Sequence, residues 1–233
     1  MKTVQSKVIG GFAPDKLPSK ITEMKMTEIA QLREAVLGWL SEQVPESRLH
    51  HILRVEKMAH ELGSYHQLDR TKAQLAGLMH DLAKNFKPQV LWKMANEAGL
   101  PVDEVLEAHP HLLHADVSAI VARKEFGVQD DQILQAIANH TLGTPGMDEL
   151  SCVIYLADSL EPGRGNTPEL ESLRMLCKEN LERAVWQTAD YSIQHLLAAG
   201  RLIHPRTIST RNWFLQKAKK GDSKFSSKKG SKS

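Results

Sequence analysis

Adjacent His80 and Asp81 close an apolar stretch, Leu75-Ala-Gly-Leu-Met-His80-Asp81-Leu-Ala-Lys84, and Lys84 follows Asp81 by about one helical turn. Neighbouring residues on a helix point to different sides of its axis, so this pair does not clamp one point as an i,i+4 pair does. It suits a dinuclear metal centre, with the imidazole on one ion and the two carboxylate oxygens bridging to a second. His51, His114, His140 and Asp158 extend the set, because each falls at the end of an expected helix or on its apolar side. Imidazole nitrogen and carboxylate oxygen together suit iron, manganese, zinc and similar divalent ions. The two cysteines, Cys152 and Cys177, form no CxxC pair, so a thiolate-bound structural zinc is not expected. Two divalent ions roughly 3.5–4 Å apart lower the pKa of a shared water and stabilise the attacking and leaving oxygens of an in-line displacement.

The elements that would position these side chains are helices. The 233 residues are 41% hydrophobic, 25% charged and 5% aromatic, the composition of a globular chain with one sizeable core. Apolar residues recur at three- and four-residue steps, as in Ile29, Leu32, Val36 and Leu40, and no useful alternating pattern occurs. We expect a first helix from Thr27. A second follows Ser47 as N-cap and is closed by Gly63, and a third spans about Arg70 to Asn85. Shorter helices follow near 89–98 and from Val102. His114 opens the next, which Gly127 closes, and one capped by Asp130 or Asp131 ends close to His140. The helix 147–160 carries Asp158, and Thr167-Pro168 start a further stretch that breaks near Lys178 and ends at Gly200. A final helix begins at Pro205 and fades after Leu215. The fold class is therefore all-α, with residues 1–22 as a flexible leader, 23–215 as one helical domain and 216–233 as a disordered Lys/Ser-rich tail.

Charge divides unevenly. The chain carries +2, but the tail from Gln216 holds seven Lys against one Asp, so residues 1–215 are acidic at −4. That argues against a nucleic-acid-binding face on the folded part, leaving the basic tail as the one place for such a contact. The sequence holds no apolar run long enough for a membrane span and no secretory signal, so a cytoplasmic, reducing setting is expected.

The order His…His-Asp…His…His…Asp resembles the HD superfamily of metal-dependent phosphohydrolases. The local words resemble one branch, the YqeK family of symmetrical bis(5′-nucleosyl)-tetraphosphatases. These words are Arg48-Leu-His-His51-Ile-Leu-Arg-Val55, Leu78-Met-His80-Asp81-Leu-Ala-Lys84, Leu112-Leu-His114-Ala, and Ala136-Ile-Ala-Asn-His140-Thr-Leu-Gly143. They continue with Tyr155-Leu-Ala-Asp158-Ser-Leu-Glu161-Pro-Gly-Arg164 and Ile203-His204-Pro-Arg-Thr207 with Arg211-Asn212. The resemblance implies that His51, His80, Asp81 and Asp158 hold one metal and that Asp81, His114 and His140 hold another, with Asp81 bridging. His51, not His50, matches the family position, and His109 and His111 lie outside the family words. It further implies two divalent ions, iron first among them with manganese an alternative, and hydrolysis of diadenosine tetraphosphate to two ADP. Asp81 and Lys84 are the expected catalytic residues.

A polyphosphate brings several negative charges to an acidic protein. Lys84, Arg164 and Arg211 are the candidate partners, Lys as a point charge and Arg as a fork. Thr141 and Gly143 would let a loop backbone approach a phosphate. Glu161 is read as pairing with an arginine. Other nucleotides, a nucleoside monophosphate or a cyclic dinucleotide, are the alternative substrates, since HD enzymes share the metal words. A scaffolding protein with a degraded site is a further alternative. The expected partner is a small dinucleoside polyphosphate, with no membrane, and a homodimer is the assembly considered.

Overall fold

The structure is a computed structural model describing residues 24–229, with side chains described through Lys220. The leader 1–22 lies outside the described residues. The helices are α1 (Met26–Gln43), α2 (Glu46–Tyr65), α3 (Arg70–Met79), α4 (Pro88–Glu97), α5 (Glu104–Ala108), α6 (His114–Phe126), α7 (Asp131–Asn139), α8 (Glu149–Leu160), α9 (Pro168–Glu179), α10 (Leu181–Ala198) and α11 (Pro205–Lys229). Short 3-10 turns, Pro110–Leu113 and Pro162–Arg164, precede α6 and follow α8. Among the described residues there is no strand. None of their helices is long and apolar enough to cross a membrane.

Helix α8 is the central rod: Leu150 through Ala157 are all buried, as a helix apolar on every side must be. Around it, α2, α3, α7, α9 and α10 pack, with α6 lying on α7 and α11 on α10. One continuous core runs from Leu32 and Leu40 of α1 through Leu75 and Leu78 of α3 to Val153 and Leu160 of α8 and Phe214 of α11.

Local chemistry sets the boundaries. Asp69, Asp103, Asp130, Asp148 and Thr167 each cap a helix by accepting from backbone N–H groups of its first turn. Gly127 closes α6 in the left-handed region at φ 67°.

Several boundaries differ from the sequence expectation. Helix α2 starts at Glu46 with Pro45 in the cap position, so Ser47 lies inside its first turn. Proline suits that place because it has no N–H to leave unpaired. Helix α2 also continues past Gly63, where a Cβ would lie 3.1 Å from Ala73 Cβ, so this glycine permits close packing on α3 instead of ending the helix. Helix α3 stops at Met79, and residues 80–84 turn tightly, with Lys84 N–H donating to Asp81 O at 3.0 Å. Helix α11 spans Pro205–Lys229, so it does not stop after Leu215.

Candidate metal centre

The six expected ligands sit near element ends around the C-terminal turn of α8. His51 lies in the second turn of α2, and His80 and Asp81 follow the last residue of α3. His114 opens α6, His140 caps the end of α7, and Asp158 lies in the last turn of α8. His51, His80, Asp81, His114 and His140 are buried, and Asp158 is partly exposed.

All six converge. Oδ2 of Asp81 lies 3.5 Å from His80 Nε2 and 3.9 Å from His51 Nε2. Oδ1 lies 3.3 Å from His114 Nε2 and 3.6 Å from His140 Nε2. The two oxygens of one carboxylate thus face two different pairs of imidazoles. Asp158 Oδ1 completes the first group, 3.0 Å from His51 Nε2 and 3.7 Å from His80 Nε2. Donor atoms of His51, His80 and Asp158, and again of His80, Asp81 and His140, fall within 4.8 Å of one another.

The hydrogen bonds fix which ring nitrogen faces inward. Nδ1 of His80 donates to Gly77 O at 2.7 Å, that of His114 to His111 O at 2.6 Å, and that of His140 to Ile137 O at 2.7 Å. A carbonyl only accepts, so each Nδ1 carries a proton; in the neutral ring Nε2 presents a lone pair to the centre, and in the charged ring it donates to the carboxylates there. His114 Nε2 and His140 Nε2 then face each other at 3.1 Å, lone pair to lone pair. His51 Nε2, His80 Nε2 and Asp81 Oδ1 are buried without a hydrogen-bond partner. Each such orphan costs about 1–3 kcal/mol. Three orphans, opposed lone pairs and a nitrogen–oxygen donor set together fit divalent cations as the missing partners.

The carboxylates are held ionised. Burial alone would raise Asp81, but His80, His114 and His140 hold it well below the usual range. Asp158 is lowered in the same way against burial, by His51, His80, His140 and Arg164. Burial pushes His114 down to about 4, aided by Lys84 and His140 and opposed by Asp81. His80 is raised, because Asp81 and Asp158 outweigh the burial that would lower it.

Around this core, Arg48 Nη1 donates to Asp81 Oδ2 at 3.1 Å. Arg164 donates to Asp158 Oδ1 at 2.7 Å and to Asp158 O at 2.9 Å. Glu161, 1% exposed, accepts from Arg54, as expected of an arginine partner, and also from His51 Nδ1 at 3.0 Å. The sequence gives Arg48 no evident role and Glu161 only an arginine partner. Arg48 was open to discovery, since it precedes His51 by one helical turn and shares its face. The Glu161–His51 contact spans 110 residues, and no local pattern encodes it.

The expected substrate residues divide. Lys84 Nζ lies 3.1 Å and Thr141 Oγ1 3.2 Å from His114 Nε2, so both border the centre. Arg164 is at the centre through Asp158. Gly143 packs instead on Thr210, and Arg211 forks onto Asp190 at 2.7 and 3.1 Å. His50 points outward beside Glu46, which leaves His51 as the inward member of the pair. His111 gives only its backbone carbonyl, to His114.

The HD domain family matches residues 48–163. The symmetrical bis(5′-nucleosyl)-tetraphosphatase of Bacillus subtilis is 36% identical over 78% of this chain and 97% of its own length. That of Halalkalibacterium halodurans is 33% identical over 80% and 99%. A crystal structure from Clostridium acetobutylicum, described as a predicted HD superfamily hydrolase involved in NAD metabolism, superposes with a TM-score of 0.76 at 31% identity, covering 79% of this chain and 97% of that one. The chain belongs to the HD-domain hydrolases, in the family of the symmetrical bis(5′-nucleosyl)-tetraphosphatases.

Proposed function

We propose that this protein hydrolyses diadenosine tetraphosphate symmetrically to two ADP at a dinuclear centre. In this reading His51, His80, Asp81 and Asp158 hold one divalent ion, Asp81, His114 and His140 hold the second, and iron is the resident metal. The observation that carries it is the division of the Asp81 oxygens, Oδ2 toward His51 and His80 and Oδ1 toward His114 and His140. The names of the relatives support the substrate. When bound, such a pair of ions supplies water activation and charge neutralisation.

The chain's own residues do the rest. The carbonyls of Gly77, His111 and Ile137 hold three imidazoles with Nε2 inward. Arg48 and Arg164 orient Asp81 and Asp158 by charge-assisted hydrogen bonds. Lys84, at the rim of the His114 side, offers its ammonium to the phosphate chain, and Thr141 offers a hydroxyl. Water adds to one of the two central phosphorus atoms, the bond from that phosphorus to the bridging oxygen breaks, and the oxygen leaves with the other ADP.

The test is product analysis of the purified full chain supplied with ferrous or manganous ion and diadenosine tetraphosphate. ADP as the sole nucleotide product is expected. AMP plus ATP, or turnover of a nucleoside monophosphate with the tetraphosphate untouched, would overturn the reading.

A further inference from the structure

The four inward imidazoles are not backed alike. His80, His114 and His140 each donate Nδ1–H to the carbonyl three residues earlier. His51 donates to a carboxylate, Glu161 Oε1, at 3.0 Å from the far end of α8. We infer that Glu161 is a positioning residue for the His51 side of the centre, setting the orientation and donor strength of that one imidazole and hence the affinity of one of the two ions. This inference rests on the dinuclear reading above.

A buried anion is retained only where its lone pairs are filled. Glu161 meets that condition. Oε1 takes His51 Nδ1 and, at 3.3 Å, Arg54 Nη2, and Oε2 takes Arg54 Nε and the N–H of Gly163. The carboxylate therefore has a fixed orientation, and its fixed Oε1 dictates the plane of the His51 ring, whose Nε2 stands 3.0 Å from Asp158 Oδ1.

The loop bearing Glu161 is itself pinned. Arg174 donates to the carbonyls of Leu160, Glu161 and Gly165 at 2.7, 3.2 and 2.7 Å. Gly163 leaves room for Arg54, since a Cβ there would collide with the guanidinium. The word Ala157-Asp158-Ser-Leu-Glu161-Pro-Gly163-Arg164 thus serves one end of the centre throughout. Asp158 faces the two imidazoles, Arg164 holds Asp158, and Glu161 holds His51.

A carboxylate behind a ligating imidazole fixes its tautomer and raises its basicity, and losing such a partner typically weakens metal binding 10–100-fold. A carbonyl, being uncharged, does less. An Arg54–Glu161 pair that merely tied α2 to the loop would give overall stability without bearing on one ion in particular.

The experiment is manganous-ion titration of metal-free full-length protein, with free ion read by electron paramagnetic resonance. His51→Ala and His140→Ala mark the two sides. The wild type should take up two ions. Glu161→Gln, which keeps the shape and removes the charge, should weaken one of them about 10–100-fold and leave the other within about twofold. The weakened ion should be the one lost in His51→Ala, and Glu161→Gln added to His51→Ala should change nothing further. Circular dichroism checks folding. Should Glu161→Gln fail to fold, Glu161→Asp, whose shorter carboxylate falls away from Nδ1, should weaken the same ion.

Unchanged affinities, equal weakening of both ions, or further weakening in the His51→Ala background would each overturn the inference while leaving two-ion binding intact. A wild type that takes up no manganese would instead remove the dinuclear reading and this inference together.

Discussion

Asp81 Oδ1 stands 3.3 Å from His114 Nε2, although the two residues belong to different helix ends. Its other oxygen turns the opposite way, to His80 at 3.5 Å. A side chain that serves two groups at once should be needed by both. Asp81→Asn keeps the size but halves the donor set and removes the charge. It should lower manganese uptake to less than one ion per chain and cut hydrolysis by at least about 100-fold, in line with losing a group that anchors the reacting constellation. Metal analysis together with a steady-state assay checks this, and retention of two ions would refute it.

The metal-free protein should lose stability in mild acid through His114. Its folded pKa is pushed down to about 4 by burial, below the ordinary 6.5. Between these values the unfolded chain binds a proton that the folded chain refuses. The stabilising contribution is thus complete above about pH 6.5 and is lost as the pH falls through that window. Its slope is at most about 1.4 kcal/mol per pH unit. Urea unfolding of metal-free protein at pH 7.0, 6.0 and 5.0 should show the decline, and His114→Gln should flatten it.

Lys84 lies on the rim with Nζ 3.1 Å from His114 Nε2, where an incoming phosphate chain would meet it. A charge-assisted hydrogen bond to such a group is worth about 1.5–3 kcal/mol. Lys84→Met should therefore lower kcat/KM about 10–100-fold. Manganese affinity should be no weaker, because a cation next to the His114 side has been removed. Loss of metal in this variant would assign Lys84 to holding the centre together and not to substrate.

Gly143 has φ +64°, and a Cβ on it would lie 2.5 Å from Thr210 Cγ2, whose hydroxyl donates to Leu142 O. The turn after His140 is thereby locked onto α11. Gly143→Ala combines left-handed strain with a collision and should cost about 1–3 kcal/mol, lowering Tm by roughly 2–4 °C for each kcal/mol. Gly99 is the control, having φ +66° with nothing within 4 Å of its would-be Cβ. Gly99→Ala should cost only the backbone strain, about 1–2 kcal/mol. Differential scanning calorimetry of both variants separates the two effects.

Much of this architecture is legible locally. Asp130 or Asp131, Thr167-Pro168 and Gly127 read as helix ends because capping is a contact between near neighbours, and the structure caps with Asp130, Thr167 and Gly127. The all-α class follows from apolar spacing in the same way. The helix α3 boundary was harder, since Leu82 and Ala83 continue the apolar pattern beyond Met79, yet the chain turns there to bring Asp81 among four imidazoles. Gly63 reads as a terminator, but its role is a close approach to Ala73, which depends on a partner helix. The six inward side chains are legible in their types and order, and their surroundings less so. Arg211 reads as a free cation until the fold shows Asp190 beneath it, and Glu161 reads as an arginine partner until the fold brings His51 to its other side.

The most direct test is anomalous scattering from crystals grown with iron or manganese. A dinuclear centre bridged by Asp81 requires two peaks on opposite sides of its carboxylate, one contacting His51, His80 and Asp158 and the other contacting His114 and His140. A single peak that leaves His114 and His140 untouched, or no peak among these side chains, would contradict it.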